Sequence, residues 1–467
     1  MKKIVTAAIL AGTALAPATA MAQEAPSLED QVAALVAEVS RLNQRVAELE
    51  AEQAQAEAQQ ANAAVEQAAM AAQVAAIEAA IPPAPTVTAD SPAEIAWAGA
   101  PEIEGEGGWS FKPFGRFNFD AGSFNAPDST GRDDGFNSEV RRARLGVQGD
   151  IPGGFGYKFE IDFAGSDISV TDAIISYEDG PLKLSVGQMN NFQSLEELNS
   201  SRWSSFMERA AFTDAFGFDR RVGVAAEVDV TDDIMLQAGV FTDNMSDLPG
   251  DRWSGDVRLV ASPKVGDAQL HLGGSLHYTD VGEGDTVRYR QRPLVHFTSE
   301  RFINTGNMAA ESEFGAGVEA AIISGPFHAV AEGFWQSAND IGVTMDNANF
   351  FGGYAEVGVF LTPGDSRGYR GGKFNRTRPA NPVDEGGMGA LQLNLRYDYL
   401  DLNDADAGII GGQQNGYFAS LIWVPTDYTR LTLNYGRLEY EDAVHAAAGG
   451  DRNYSVDVVG MRAQIDF

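Results

Sequence analysis

The chain has 467 residues, no cysteine and a formal net charge of −33. The lack of cysteine excludes disulfides, thiolate metal sites and a lipid-anchored N-terminus, and the strong acidity argues against nucleic acid as a partner. Residues 1–22 combine Lys2 and Lys3 with an apolar run from Ile4 to Leu15, which predicts a secretory signal peptide. The sequence contains no later apolar run long enough to predict a transmembrane helix.

Residues 23–81 carry an apolar heptad repeat. One seam position holds Leu and the other holds Val, as in Leu28, Val32, Leu35 and Val39. This pattern predicts a coiled-coil rod roughly 80 Å long, although a single amphipathic helix on a globular core is an alternative. The rod should end at Pro82, because proline cannot continue a helix, and residues 82–108 are predicted to be a Pro-containing linker.

From residue 109 the apolar period changes to two. Phe155, Tyr157, Phe159 and Ile161 alternate with polar residues such as Lys158, so each strand has one apolar face and one face that tolerates charge. Tight turns alternate with long polar segments, which is typical of outer-membrane barrels. Counting residues 286–297 as an external loop, and not as a strand, gives an even number of strands, as a barrel with both termini on one side requires. Residues 109–467 are therefore predicted to be all-β, a 16-stranded antiparallel transmembrane β-barrel.

A basic island interrupts this acidic chain at residues 361–379. It contains five cations against the single acid Asp365. A solvated loop of mixed charge would explain it, and so would a segment that holds cations where an anion passes or binds. The five cations are Arg367, Arg370, Lys373, Arg376 and Arg378.

Several stretches resemble the phosphate-selective porin O/P family. They include RRARLGVQGDIPGGFGYKFEIDFAG at 141–165, LEELNSSRWSSFMERA at 195–210 and FDRRVGVAAEV at 218–228. The pieces LTP, GYRGG and KFNRTRP of the basic island, and RYDYLDLNDADAGIIGG at 396–412, are similar to the family too. The similar segments occur in the family's order over nearly all of residues 109–467.

The resemblance implies a homotrimeric porin in the bacterial outer membrane. It also implies that three segments fold into the lumen: residues 190–219, 280–310 and 362–388, the last of which contains most of the basic island. The anion-binding or pore-lining candidates are the five island cations together with Arg288, Arg290, Arg292, Arg142 and Arg144. For the strand arginines, ion pairing to a cross-strand acid such as Glu160, Glu227 or Asp398 is an equally good expectation.

The predicted function is passive passage of small anions, phosphate or related oxyanions, through a basic constriction. A general or weakly selective porin is the alternative, since acids dominate the composition. A second alternative is a structural tether, in which the coiled coil in the periplasm reaches a cell-wall partner. Lipopolysaccharide is an expected lipid partner. No catalytic motif or histidine spacing points to an enzyme, and no cofactor or metal is expected.

Overall fold

The computed structural model describes residues 94–132, 135–282, 284–342 and 346–467. Sixteen long strands in these ranges pair with their neighbours, always antiparallel, and the last strand pairs with the first from Asp457–Asn125 to Asp466–Arg116. The sheet is therefore closed, and the predicted 16-stranded antiparallel barrel is confirmed. The predicted signal peptide, the predicted coiled coil and the first part of the predicted linker lie outside the described residues.

The barrel strands are numbered here in chain order. They are β1 Trp109–Asn125, β2 Gly135–Ile151, β3 Phe155–Asp162, β4 Ser169–Asp179, β5 Leu182–Asn190, β6 Arg220–Thr231, β7 Ile234–Phe241, β8 Trp253–Ala261, β9 Ala268–Asp280, β10 Ser312–Ser324, β11 Phe327–Ile341, β12 Asp346–Phe360, β13 Ala390–Asp404, β14 Ile409–Thr426, β15 Thr429–Glu441 and β16 Tyr454–Asp466.

The wall has the burial pattern of a membrane barrel, apolar outside and polar inside. In β1, Phe117 and Phe119 are exposed on the outer face, whereas Asn118 and Asp120 between them are fully buried on the inner face. The same alternation runs along the other strands. Within the described residues, no helix is both long and apolar enough to cross a membrane.

The connections differ strongly in length at the two ends of the barrel. At one end, called the short-turn end, most strands join through a few residues, as at 152–154, 180–181 and 427–428. At the other, the long-loop end, the two longest connections are residues 191–219 (loop L3) and 281–311 (loop L5). One connection of the short-turn end is also long: residues 361–389, called T6. L3 contains the helices α1 Leu195–Leu198 and α2 Ala211–Ala215.

L3 and L5 fold into the barrel, as the family resemblance implied. Their apolar side chains form one core with inward-facing wall residues, most of which lie in the long-loop half. Phe212 of L3 stacks on Phe334 of β11 at 6.0 Å, and Phe216 meets Tyr289 of L5 edge to face at 5.4 Å. Residues 286–297 contain only a two-residue strand, Arg290–Gln291, so their assignment to a loop is confirmed.

Residues 94–105 differ from the prediction of a linker. They form a hairpin of strands Glu94–Trp97 and Pro101–Gly105, and the second strand pairs with the start of β1 through Glu104–Ser110 and Gly105–Trp109. In the second strand Ile103 lies between Glu102 and Glu104, a period-two pattern too short to stand out beside the prolines.

Candidate channel constriction

Acidic side chains of the barrel wall hold L3 in place. The carboxylate of Glu332 in β11 accepts hydrogen bonds from the amides of Leu195 and Glu196 at 3.0 and 2.8 Å, at the start of α1. Asp398 in β13 accepts from the amide of Ala211 at 3.1 Å, at the start of α2. These bonds satisfy the free amides that a helix leaves at its N-terminus, so two wall acids serve to position L3.

Ion pairs fasten the same loop to other strands. Glu208 of L3 accepts from Arg141 of β2 at 2.9 and 3.0 Å and from Arg462 of β16 at 2.9 Å. Glu196 accepts from Arg396 of β13 at 2.9 Å. Burial would raise the pKa of Glu208, but the charges of Arg141 and Arg462 outweigh it and hold that pKa well below its usual range. Glu208 is therefore charged under ordinary conditions.

A β-bulge turns two consecutive arginines of β2 toward the lumen. The register passes from Asn118–Arg142 to Phe119–Val140 and leaves Arg141 without a partner residue on β1. A bulge re-aims side chains in this way. Simple alternation placed Arg142 and Arg144 inward but missed Arg141, and the adjacent arginines of the run RRAR were the only signal of it in the sequence.

Most wall cations are neutralised by wall acids. Arg144 donates to Asp162 at 2.6 Å and to Glu160 at 3.3 Å, and Arg116 donates to Glu160 at 3.0 Å. The ion-pairing alternative thus describes Arg144, a predicted anion-binding residue. Arg142 differs, because its buried Nε and Nη1 have no hydrogen-bond partner in the described part of the chain.

The inward-facing acids also form hydrogen bonds or ion pairs within the protein. Each of the acids named next accepts a hydrogen bond from a cationic, hydroxyl, amide or imidazole group of the protein, and its charge is neutralised only where the donor is a cation. Those acids are Asp120, Glu160, Asp162, Asp172, Glu227, Asp256, Glu313, Glu319, Glu332, Glu356, Asp398 and Asp466. Among the described residues, no group of three His, Cys, Asp or Glu side chains is placed to hold a metal ion.

T6 enters the lumen from the short-turn end. Along its path the cations of the basic island fall into three parts with different surroundings. The first part is Arg367, which is buried. Its guanidinium donates to the carbonyl of Trp203 at 3.0 Å and to the Ser205 hydroxyl, and it stacks on the Phe374 ring at 4.1 Å. Burial lowers the pKa of Arg367, and Glu356 at 3.6 Å opposes this. Arg367, predicted to line the pore, instead joins T6 to L3.

The second part is a hairpin of strands Gly368–Arg370 and Lys373–Asn375. It spans from L3 to the wall: the amide of Phe374 donates to Asn199 of L3 at 2.9 Å, and the carbonyl of Gly372 accepts from Arg258 of β8 at 3.2 Å. Both turn residues, Gly371 and Gly372, have positive φ, as a tight hairpin turn requires.

The hairpin has one aromatic and one basic face, because cross-strand partners share a face. Tyr369 pairs with Phe374, and both pack inward. Arg370 pairs with Lys373 on the other face. Arg370 is exposed and Lys373 is half-buried, and neither has a carboxylate oxygen within 4.0 Å among the described residues.

Lys373 lies in a mixed but mainly basic environment. Burial lowers its pKa, Glu227 of β6 raises it, and Arg258, Lys158 and Lys183 lower it further. These four charged residues lie on β3, β5, β6 and β8. Within the described part of the chain, Lys373 and Arg370 thus present charge that no acid neutralises by direct contact.

The third part of the island, Arg376 and Arg378, lies at the short-turn end. Arg376 donates to Asp466 and to the carbonyl of Asp427, and Arg378 is exposed with its Nε 3.7 Å from Asp427. Both line a cavity of about 170 Å³. The structure thus spreads the predicted cluster along the channel and does not gather it at one level.

The L5 arginines lie at the long-loop end. Arg288 and Arg290 are exposed, Arg288 donates to Asn304 at 2.9 Å, and Arg292 lies 3.7 Å from Asp214. Burial and the charges of Arg292, Arg290 and Arg288 together lower the pKa of Arg301 to about 10, against the opposing charge of Asp214. The four arginines therefore form a like-charged group, which was predicted only in part because Arg301 was not a candidate.

Comparison with known proteins gives matches over almost the whole described region. The anion-selective porin from Comamonas acidovorans has 13% identity and a TM-score of 0.49, with 77% of this chain and 100% of that chain covered. OmpT, an outer membrane protein of Vibrio cholerae, has 11% identity and a TM-score of 0.47, with 77% and 98% covered.

An uncharacterized protein of Caulobacter vibrioides is 46% identical over 403 residues, which are 82% of this chain and 79% of the relative. The family model described as phosphate-selective porin O and P matches residues 111–467. The chain therefore belongs to the phosphate-selective porin O and P family and is a porin of the outer membrane.

Proposed function

We propose that the channel prefers small anions, phosphate or related oxyanions among them, and that Arg370 and Lys373 on the basic face of the T6 hairpin set this preference. The proposal is supported by the contrast between these two cations and the wall arginines that are paired with acids, such as Arg144 and Arg396. Wall acids hold L3 in place and form ion pairs, whereas Arg370 and Lys373 have no acid in contact among the residues that the structure describes. A charge without a counter-ion acts on a passing solute more strongly than a neutralised pair does.

In this proposal the solute moves down its own concentration gradient, so transport requires no energy source. A solute that enters from the long-loop end meets the like-charged L5 arginines, then Arg370 and Lys373, then Arg376 and Arg378. Several weak sites in succession favour both entry and exit. Guanidinium groups suit phosphate oxygens because their planar donors bind in pairs.

The test is the reversal potential of the purified protein in a planar bilayer under a KCl gradient. We expect an anion-selective potential, and we expect R370Q/K373Q to lower the anion-to-cation permeability ratio by on the order of tenfold, since two charges near the path contribute about 1 kcal/mol or more. The matched control is R437Q, because Arg437 lies on the outer face of β15 beside Tyr435. A cation-selective wild-type channel would contradict the proposal.

Phosphate is then titrated against the chloride current. Saturable block that weakens in R370Q/K373Q supports an oxyanion site on the hairpin. Linear loss of current without saturation favours the alternative, a general or weakly selective porin.

Two further proposals concern assembly and the N-terminal region. We infer a homotrimer, which the family resemblance implies, to be measured by native mass spectrometry in detergent. We also propose that the heptad pattern of residues 23–81 forms a periplasmic rod that tethers the outer membrane. Deletion of residues 23–89 should loosen the envelope and leave conductance unchanged, and an intact envelope in the deletion strain argues against tethering.

A further inference from the structure

The cavity at the short-turn end combines several cations with aromatic rings. Four of the residues that line its volume of about 170 Å³ are basic: Lys112, Arg202, Arg376 and Arg378. Only one lining residue, Asp427, is acidic. The cavity is formed by the start of β1, by L3, by T6 and by the turn between β14 and β15, so residues far apart in the sequence converge on it.

The four cations are neutralised to different degrees. Lys112 donates to Glu102 at 2.8 Å and Arg376 donates to Asp466, so these two are directly paired. Arg202 is 4.0 Å from Asp466 and Arg378 is 3.7 Å from Asp427, which is beyond hydrogen-bond distance. Arg202 and Arg378 therefore retain donors that a bound anion could use.

Burial disfavours the charged form of Arg202 when no such anion is bound. Burial lowers the pKa of Arg202, Asp466 opposes this change, and the neighbouring Arg376 lowers the pKa further. An anion held between Arg202 and Arg378 would reduce the repulsion among the guanidinium groups.

Aromatic rings also line the cavity. Phe114, Tyr428 and Phe467 line it. The guanidinium of Arg376 lies 4.5 Å from the Trp203 ring and 5.3 Å from the Tyr428 ring, and that of Arg202 lies 4.9 Å from the Trp203 ring. Stacking of this kind fixes the orientation of planar cations. A hydrated inorganic ion gains nothing from contact with the faces of such rings, whereas an aromatic solute does.

We propose that this cavity is a binding site for a monocyclic aromatic carboxylate, whose carboxylate contacts Arg202 and Arg378 while its ring packs against Tyr428 and Phe114. The volume fits, since a cavity of about 150 Å³ holds a benzene-sized ligand. This inference names an organic solute class for the proposed anion channel, and it rests on that proposal only for the route by which the solute reaches the cavity.

The test measures benzoate binding to the purified full-length protein in detergent by saturation-transfer NMR. Benzoate should bind at least fivefold more tightly than cyclohexanecarboxylate, which has the charge without the aromatic face, and more tightly than neutral benzyl alcohol. Inorganic phosphate should displace benzoate only weakly. If phosphate displaces benzoate at lower concentration than cyclohexanecarboxylate does, the cavity is a general anion site and the inference is wrong.

Two substitutions at exposed positions test the location. Arg378 is 78% exposed and Gln148 is exposed at the cavity lining, so R378Q and Q148E should both fold. R378Q should weaken benzoate binding at least fivefold, and Q148E should weaken it more because it adds a negative charge. R437Q should bind benzoate like the wild type. Unchanged binding in both cavity variants overturns the inference.

The same variants separate this inference from the proposed function. R370Q/K373Q should lose anion preference in the bilayer yet keep benzoate binding, because its residues lie on the hairpin and not at the cavity. A cation-selective wild type whose benzoate binding is lost in R378Q refutes the channel preference and retains the cavity. An anion-selective wild type that does not bind benzoate refutes the cavity alone.

Discussion

Arg141 and Glu208 form a two-point ion pair, in which Nε and Nη2 of the arginine donate to the two carboxylate oxygens at 2.9 and 3.0 Å. The pair joins β2 to L3. Because Arg462 of β16 donates to the same carboxylate at 2.9 Å, one loop residue contacts strands on both sides of β1, where the barrel closes.

Removing the charge of Glu208 should destabilise the protein. Loss of one partner from a largely buried pair costs about 3 kcal/mol, because the cations left behind lose their counter-charge. We expect E208Q to lower the temperature at which the barrel unfolds in an SDS gel-shift assay. The matched control is E178Q, whose pair with Lys183 is exposed and should contribute less than about 1 kcal/mol. Equal midpoints for the two variants would contradict the prediction.

The contribution of Glu208 should also depend on pH in a defined direction. Its pKa is held well below its usual range, since the cations Arg141 and Arg462 outweigh the effect of burial. The stabilisation is therefore complete above the unfolded-state pKa of about 4.3 and is lost as the pH falls through the lower folded-state pKa. The difference in midpoint between wild type and E208Q should be constant from pH 7 to 5 and shrink below about pH 4. A difference that shrinks between pH 7 and 5 would show that the cations do not lower this pKa.

Neighbouring arginines of T6 should respond differently to substitution. Arg367 is buried against Trp203, Ser205 and Phe374, so R367Q should lower the free energy of unfolding by about 3 kcal/mol. Arg370 is exposed, so R370Q should change stability by less than about 0.5 kcal/mol while changing ion selectivity. The gel-shift midpoint and the reversal potential, measured on both variants, distinguish the structural arginine from the channel arginine.

The hydroxyl of Tyr369 should hold the hairpin at a fixed distance from the wall. It lies 2.6 Å from Nδ1 of His271, and burial raises the pKa of Tyr369 to about 12, so the hydroxyl stays protonated and can donate at neutral pH. Y369F removes a bond of about 1 kcal/mol. We expect larger fluctuations of the open-channel current with little change in the mean. Identical noise spectra for Y369F and the wild type would argue that other contacts fix the hairpin.

The L5 arginines should attract anions over a distance and not at a binding site. R288Q/R290Q should lower the chloride conductance at 0.01 M salt by about twofold or more, since charges act there over roughly 30 Å. At 1 M salt, where screening limits them to about 3 Å, the variant and the wild type should conduct equally. A deficit that persists at high salt would show that these side chains instead line the narrowest part of the path.

The sequence allowed the strands to be predicted, because period-two alternation records which face of each strand meets apolar surroundings. It did not allow ion pairs across the lumen to be predicted. Arg396 and Glu196 are 200 positions apart, and they meet only because L3 folds inward. Loop placement came from the family resemblance, since polar loop residues carry no periodicity that would indicate an inward path.

The basic island illustrates the same limit on a smaller scale. Its composition identified all five cations, but composition cannot separate Arg367, which is buried, from Arg370, three residues later and exposed. That difference arises from the hairpin, in which Tyr369 and Phe374 turn toward the core and Arg370 and Lys373 turn away. The tight Gly371–Gly372 turn was visible in the sequence, and alternation about it would have given the two faces.

Loops from opposite ends of the barrel touch inside it, where the amide of Phe374 in T6 donates to Asn199 in L3 at 2.9 Å. The two entrances are consequently not independent parts. An insertion in L3, made to display a peptide or alter a surface receptor, would displace Asn199. Through the bond to Phe374 this displacement would move the basic hairpin, which belongs to the opposite entrance. Engineering of this channel should therefore treat the two loops as one mechanical unit and change them together.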